Sequence, residues 1–75
     1  MDKIYIGIVL KRFRLSRNLT QSELARQAGL HHGFVSELES NKKEPCAGTL
    51  VALAQVLEVT VDDLLRQDKE LNKLK

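Results

Sequence analysis

An all-α fold of five short helices is predicted by three observations. Apolar residues recur at helical spacing, as in Leu50, Leu53, Ala54 and Leu57 at i, i+3, i+4 and i+7. Two boxes, Thr20-Gln21-Ser22-Glu23 and Thr60-Val61-Asp62-Asp63, each mark a helix start. In such a box the Thr hydroxyl accepts the third helical amide while the acid reaches back to the cap amide. Residues that tolerate a left-handed backbone, Asn18, Gly29 and Asn41, stand where a helix must stop.

Taken in order, the first helix is expected over residues 4–17, IYIGIVLKRFRLSR, with Ile6, Val9, Leu10 and Phe13 as its buried stripe. Ile4, Tyr5 and Ile8 give residues 4–8 a strand-like local propensity. The unbroken run into Lys11, Arg12 and Arg14 favours helix. Gly7 costs about 1 kcal/mol inside a helix relative to Ala, so it marks either close packing or a frayed start. Leu19, just before the Thr20 cap, is placed to act as a hydrophobic staple. Helix two is expected from Gln21 to Ala28, burying Leu24 and Ala28, with Gly29 ending it and Leu30 in the turn. Helix three begins near His31 or His32 and runs to Ser40, burying Val35 and Leu38. Lys42-Lys43-Glu44-Pro45 is a polar loop in which Pro45 keeps Glu44 extended. Helix four starts between Cys46 and Thr49. Glu58-Val59 connects it to helix five, whose apolar side is Val61, Leu64 and Leu65. With no Gly or Pro after Gly48, helix five either extends over residues 66–75 through Leu71 and Leu74 or frays after Gln67.

Seventy-five residues make a single domain, 1–75, near the lower limit for an unaided core. A homodimer is therefore expected. Apolar content of 43% and charged content of 29% are ordinary for a globular protein. The net charge of +2 does not itself argue for nucleic acid. Its distribution says more: residues 1–43 carry eight Lys/Arg against four Asp/Glu, residues 44–75 four against six. One basic end suits a molecule that turns one face to a polyanion. Cys46 is the single cysteine, so no internal disulfide can form, which fits a reducing, cytoplasmic setting. It reads as a small apolar residue before a redox or metal group. No apolar run approaches the roughly 20 residues that span a bilayer, and Ile4 to Leu10 is too short for a signal peptide. Enzyme chemistry has no footing: there is no Gly-rich phosphate loop, no nucleophile–base pair and no metal constellation. Adjacent His31 and His32 do not share a helix face, which argues against metal. No cofactor and no small-molecule ligand are indicated.

Residues 20–41, TQSELARQAGLHHGFVSELESN, hold two short helices, a Gly-containing turn and a shared apolar side. That is the signature of a helix-turn-helix, whose second helix enters the DNA major groove. The chain resembles the Cro and lambda-repressor type of helix-turn-helix domain, the xenobiotic-response-element (XRE) group of bacterial and phage regulators. The likeness is carried by Ile6-Gly7, Leu10-Lys11-Arg12-Phe13-Arg14, Leu19-Thr20-Gln21, Glu23-Leu24-Ala25, Ala28-Gly29-Leu30, Val35-Ser36, Leu38-Glu39, Asn41-Lys42, Pro45, Thr49-Leu50, Leu53-Ala54, Leu57-Glu58-Val59 and Asp63-Leu64-Leu65. It covers about residues 6–65. The short length also resembles the small controller proteins of restriction–modification systems. The resemblance implies a five-helix domain that binds double-stranded DNA as a homodimer on a palindromic operator and regulates transcription. Its recognition helix, residues 32–40, would lie in the major groove.

The resemblance also implies roles for particular residues. Gln21 aligns with a glutamine that contacts phosphate at the start of helix two, where free amides and the positive dipole end favour an anion; the other reading is an exposed first-turn Gln. Arg14 and Glu39 align with a partly buried structural pair that links helix one to helix three and aims the recognition helix. A direct phosphate contact is the alternative for Arg14. The base-reading positions are His32, Gly33, Ser36 and Glu37, where many relatives carry Arg, Gln, Ser or Thr. Glu37 can accept from cytosine N4 but repels phosphate; otherwise it is a solvated carboxylate. His32 can donate or accept at a base edge, or protonate against phosphate. Gly33 permits close backbone approach, and Ser36 is a short contact of low specificity. His31, at the expected N-cap, would cap the helix or meet phosphate. Ser40, Asn41, Lys42 and Lys43, with Arg12, Arg17 and Arg26, are further phosphate candidates, which give affinity and register rather than sequence choice. Val56, Glu58, Val59, Val61 and Leu65 are expected at the dimer interface, with ordinary core as the alternative. A rival reading is an antitoxin or adaptor module that chiefly binds protein. Glu37 and Gly33 favour it; Gln21 and the Lys42-Lys43 loop count against it.

Overall fold

Helix-forming segments punctuated by capping residues give five helices in this computed structural model, which describes residues 4–66. They are α1 (Gly7–Ser16), α2 (Gln21–Ala28), α3 (Phe34–Glu39), α4 (Ala47–Leu57) and α5 (Val61–Leu65), with no strand among the described residues. Both capping boxes close. The Glu23 amide donates to Thr20 Oγ1 at 3.0 Å while the Thr20 amide donates to Glu23 Oε1 at 2.8 Å. Asp63 and Thr60 repeat the exchange, both bonds at 3.0 Å. The Thr20 amide, and after it the Thr20 hydroxyl, holds the Glu23 carboxyl below its ordinary value; the Thr60 amide and hydroxyl do the same for Asp63.

Four helices end on the same backbone turn. Asn18, Gly29, Asn41 and Glu58 adopt left-handed φ of 58°, 69°, 61° and 58°. In each case the next residue's amide donates to the carbonyl five residues back: Leu19 to Arg14, Leu30 to Ala25, Lys42 to Glu37 and Val59 to Ala54, at 2.8–3.2 Å. This is the Schellman arrangement, which satisfies carbonyls left without helical partners. Leu19, Leu30 and Val59 then fold against the core.

α2 packs on α3 and α4, α1 on α3, and α4 on α5. The core between them is built from Ile6, Val9, Leu10, Leu24, Ala25, Val35, Leu38, Leu50, Leu53, Ala54, Leu57 and Leu64. Each large apolar side chain buried there contributes about 1.5–3 kcal/mol.

The structure corrects several expected boundaries. α1 begins at Gly7, not at residue 4: Ile6 is its N-cap, with φ −122° and ψ 14°, and is itself in the core. The Ile4 amide is drawn away to Glu44 Oε1 at 3.1 Å, so residues 4–6 are neither helix nor strand. α3 begins at Phe34 and ends at Glu39, not over 32–40. Gly33 is its N-cap, at φ 90°, with no side-chain cap bond. The left-handed Gly33 interrupts helical geometry, so His31 and His32 lie in the preceding turn, and His31 is not the cap. In α2 the fully buried alanine is Ala25; Ala28 is only partly buried. Leu65 is 41% exposed rather than on a buried side. The expected extension over 66–75, including Leu71 and Leu74, lies outside the described residues apart from Arg66, the C-cap of α5. No helix among the described residues is long and apolar enough to cross a membrane.

Candidate nucleic-acid interface

The interface is built outward from one buried ion pair. Arg14, on α1, and Glu39, the last residue of α3, meet through Nε to Oε2 at 2.6 Å and Nη2 to Oε1 at 3.1 Å. Their side chains are only 9% and 5% exposed. Arg14 Nη1 also donates to the Leu19 carbonyl at 2.7 Å, which ties the turn before α2 into the same group. Glu39 Oε1 takes a third donor, Gln21 Nε2, at 3.0 Å. Gln21, expected at phosphate, is thus oriented by the carboxylate that Arg14 neutralises. A bidentate, charge-assisted pair of this kind is strong and directional. It leaves no buried side-chain nitrogen or oxygen unsatisfied among the described residues.

α3 turns Val35 and Leu38 inward. Phe34, which the sequence reading did not single out, also packs partly against the core. His32, Gly33 and Ser36 are exposed on the opposite side, and Glu37 is half-buried. The four expected base-readers therefore cluster, but they divide between a turn (His32, Gly33) and a helix (Ser36, Glu37). His32 also borders a shallow open cleft with Ser22, Ala25, Arg26 and Leu30, which brings a cation and an imidazole to one rim.

The expected phosphate residues fall into two sets. His31, Arg12, Arg26, Lys42 and Lys43 are exposed. The others are engaged within the chain. Ser40 Oγ donates to the Ser36 carbonyl at 2.9 Å and to Glu37 at 3.3 Å. Asn41 Oδ1 accepts the Gly7 amide at 3.1 Å. Arg17 Nη2 reaches Glu58 Oε1 at 3.0 Å, an exposed pair. That contact joins a residue expected on DNA to one expected at the dimer interface. Of the remaining dimer candidates, Val56, Val59 and Val61 pack partly against the core, while Leu65 is exposed. Gly7 and Glu44 were not among the expected site residues. The signal for Gly7 was a glycine inside a helical pattern; for Glu44 there was none, because its partner lies 40 residues away.

Known proteins resemble this chain in sequence, and solved structures resemble it in fold. The helix-turn-helix family model matches residues 10–64. The immunity repressor protein of Bacillus phage phi105 is 30% identical over 63 residues, 84% of this chain and 44% of that protein. Control protein C.SmaI from Serratia marcescens is 32% identical over 56 residues, 75% of this chain and 67% of its own length. The crystal structure of SinR, a master regulator for biofilm formation, in complex with DNA superposes with a TM-score of 0.77 at 34% identity, covering 80% of this chain and 97% of that one. The chain spans less than half the length of the phi105 repressor. Five helices in register, two closed capping boxes and a family match from Leu10 to Leu64 lead to one conclusion: the chain belongs to the helix-turn-helix family of the Cro and lambda-repressor type.

Proposed function

We propose that this chain is a sequence-specific DNA-binding transcriptional regulator that engages a palindromic operator as a homodimer, with α3 in the major groove. The observation that carries this reading is the division of α3. Its inner residues Val35 and Leu38 are buried in the core, while Ser36 on its outer side, His32 and Gly33 in the turn before it, and Lys42 and Lys43 in the loop after it are exposed. A short helix with an outward polar face next to exposed cations suits base edges between phosphates. The relatives support it: two are named as a repressor and a control protein, and SinR was crystallised with DNA. In the dimer the two recognition helices would sit about 34 Å apart, one turn of DNA.

Selection of bound sequences from random duplex DNA, followed by gel shift at several salt concentrations, tests the proposal. Binding that weakens steeply with salt and survives nonspecific competitor is expected. Glu37→Gln should change base preference, whereas Lys43→Ala should weaken all sequences alike. If both variants lose affinity uniformly, Glu37 is not a reader. Tight association with a protein partner in the absence of any DNA binding would replace this reading with the adaptor one.

A further inference from the structure

The turn that closes α3 differs from the three other turns of its kind. After Asn18, Gly29 and Glu58 the next residue is apolar, and Leu19, Leu30 and Val59 plug into the core. After Asn41 the next residue is Lys42, which is exposed, as is Lys43. The usual apolar anchor of a Schellman turn is therefore missing here. Two polar bonds from the amino end of the chain stand in its place. The Gly7 amide, at the start of α1, donates to Asn41 Oδ1 at 3.1 Å, and the Ile4 amide donates to Glu44 Oε1 at 3.1 Å. The two acceptors flank Lys42 and Lys43 on either side. The approach is close enough to require glycine: a Cβ on Gly7 would collide with the Glu39 carbonyl and with Asn41 Oδ1.

We propose that Asn41 and Glu44 are positioning residues that fasten the loop after α3 to the amino end of α1, holding Lys42 and Lys43 as a pre-set hook for DNA phosphate. Asn41 thereby acts through the lysines rather than by touching phosphate itself. A lysine side chain otherwise enters binding with a mobile backbone beneath it, and fixing that backbone beforehand removes part of the ordering cost. Joining the loop to α1 also sets the lysines relative to α3, because α1 holds α3 through Arg14 and Glu39. This inference rests on the DNA-binding reading above.

The test combines hydrogen exchange on the free protein with DNA binding titrated against salt. Asn41→Gly is the principal variant, since glycine keeps the left-handed turn and removes only the side chain. The Gly7 amide is expected to lose protection. Affinity for specific and random duplexes alike is expected to fall roughly threefold to tenfold. The dependence of log K on log salt should become shallower by up to about one, with base preference unchanged. In a Lys42→Ala/Lys43→Ala background the same substitution should cost nothing further. Asn41→Asp, which keeps the acceptor, should restore Gly7 protection. A second arm compares Glu44→Ala with Glu44→Gln: both remove the charge, only Gln keeps an acceptor for Ile4, and Gln should bind DNA more tightly. Unchanged Gly7 exchange in Asn41→Gly overturns the clamp. So does an equal loss of affinity with and without the lysines, which would make Asn41 a contact in its own right. Normal Gly7 protection in a wild-type chain that shows no salt-dependent DNA binding overturns the functional reading, and the hook with it, while leaving the clamp as a purely architectural bond.

Discussion

α2 and α3 are the two halves of one motif, and they are held in different ways. α2 is closed by its own neighbours. Thr20 and Glu23 satisfy its first amides, and Gly29 turns the chain at its end. α3 has six residues, no side-chain cap and a left-handed glycine in front of it. An isolated helix of that length is far below what water supports. It is kept in place from outside, by Val35 and Leu38 in the core, by Arg14 on Glu39, and by the amino end of α1 against the turn that follows it. The helix expected to meet DNA is thus the one with the least local stability, and its direction is set by residues of α1. Orientation by distant groups is the arrangement a reading helix needs, since its own surface must stay free.

Three substitutions break or sharpen that contrast. Glu39→Ala has the largest expected effect: it strands a guanidinium that is nine-tenths buried and frees Gln21, at a cost of about 3–5 kcal/mol. Denaturant unfolding measures it. A cost near zero would mean that the Arg14–Glu39 pair does not hold α3 in place. Gly7→Ala comes next. Its Cβ overlaps the Glu39 carbonyl, and the resulting displacement should cost about 1–3 kcal/mol. Thermal unfolding together with DNA affinity reads it, and affinity should suffer because Gly7 lies against the Glu39 carbonyl and Asn41, which position α3 and the loop after it. The smallest effect belongs to α2. Glu23 has a folded-state pKa below its ordinary 4.5, so its contribution is fully present above that value. It is lost as pH falls through the lower folded value. Glu23→Gln should flatten the acid limb of stability below about pH 4.5 and leave DNA binding at neutral pH unchanged. A changed operator affinity would show that α2, too, depends on more than its own cap.

The order of legibility in the sequence follows the same contrast. Thr20-Glu23 and Thr60-Asp63 could be read because each bond joins residues three apart. The buried stripes of α1 and α4 could be read because helical periodicity reports which side faces inward. Arg14 and Glu39 were paired only through resemblance, since nothing local links residues 25 apart. The start of α3 was misplaced because His31-His32-Gly33 carries no capping signature, and Gly33 takes a left-handed backbone in front of the helix. Glu58 at a left-handed φ was missed because its residue type argues against that conformation. The partners of Arg17 and Asn41 lie 41 and 34 residues away and could not be seen from the chain alone, whereas Ser40 turns back on carbonyls three and four residues before it, a local bond that hydroxyls at a helix end often make.

By itself, then, the order of residues determined the number of helices, most of their stops, most of the inward-facing residues and the family. All of these depend on interactions within a turn or two of chain. The tertiary structure alone decided where α1 and α3 begin, which polar groups remain available at the surface, and that Gly7 and Glu44 bear on the loop after α3. The start of α1 and the place of that loop depend on hydrogen bonds between segments 34 and 40 residues apart, which form only once the core has brought the segments together; the start of α3 follows the left-handed backbone of Gly33.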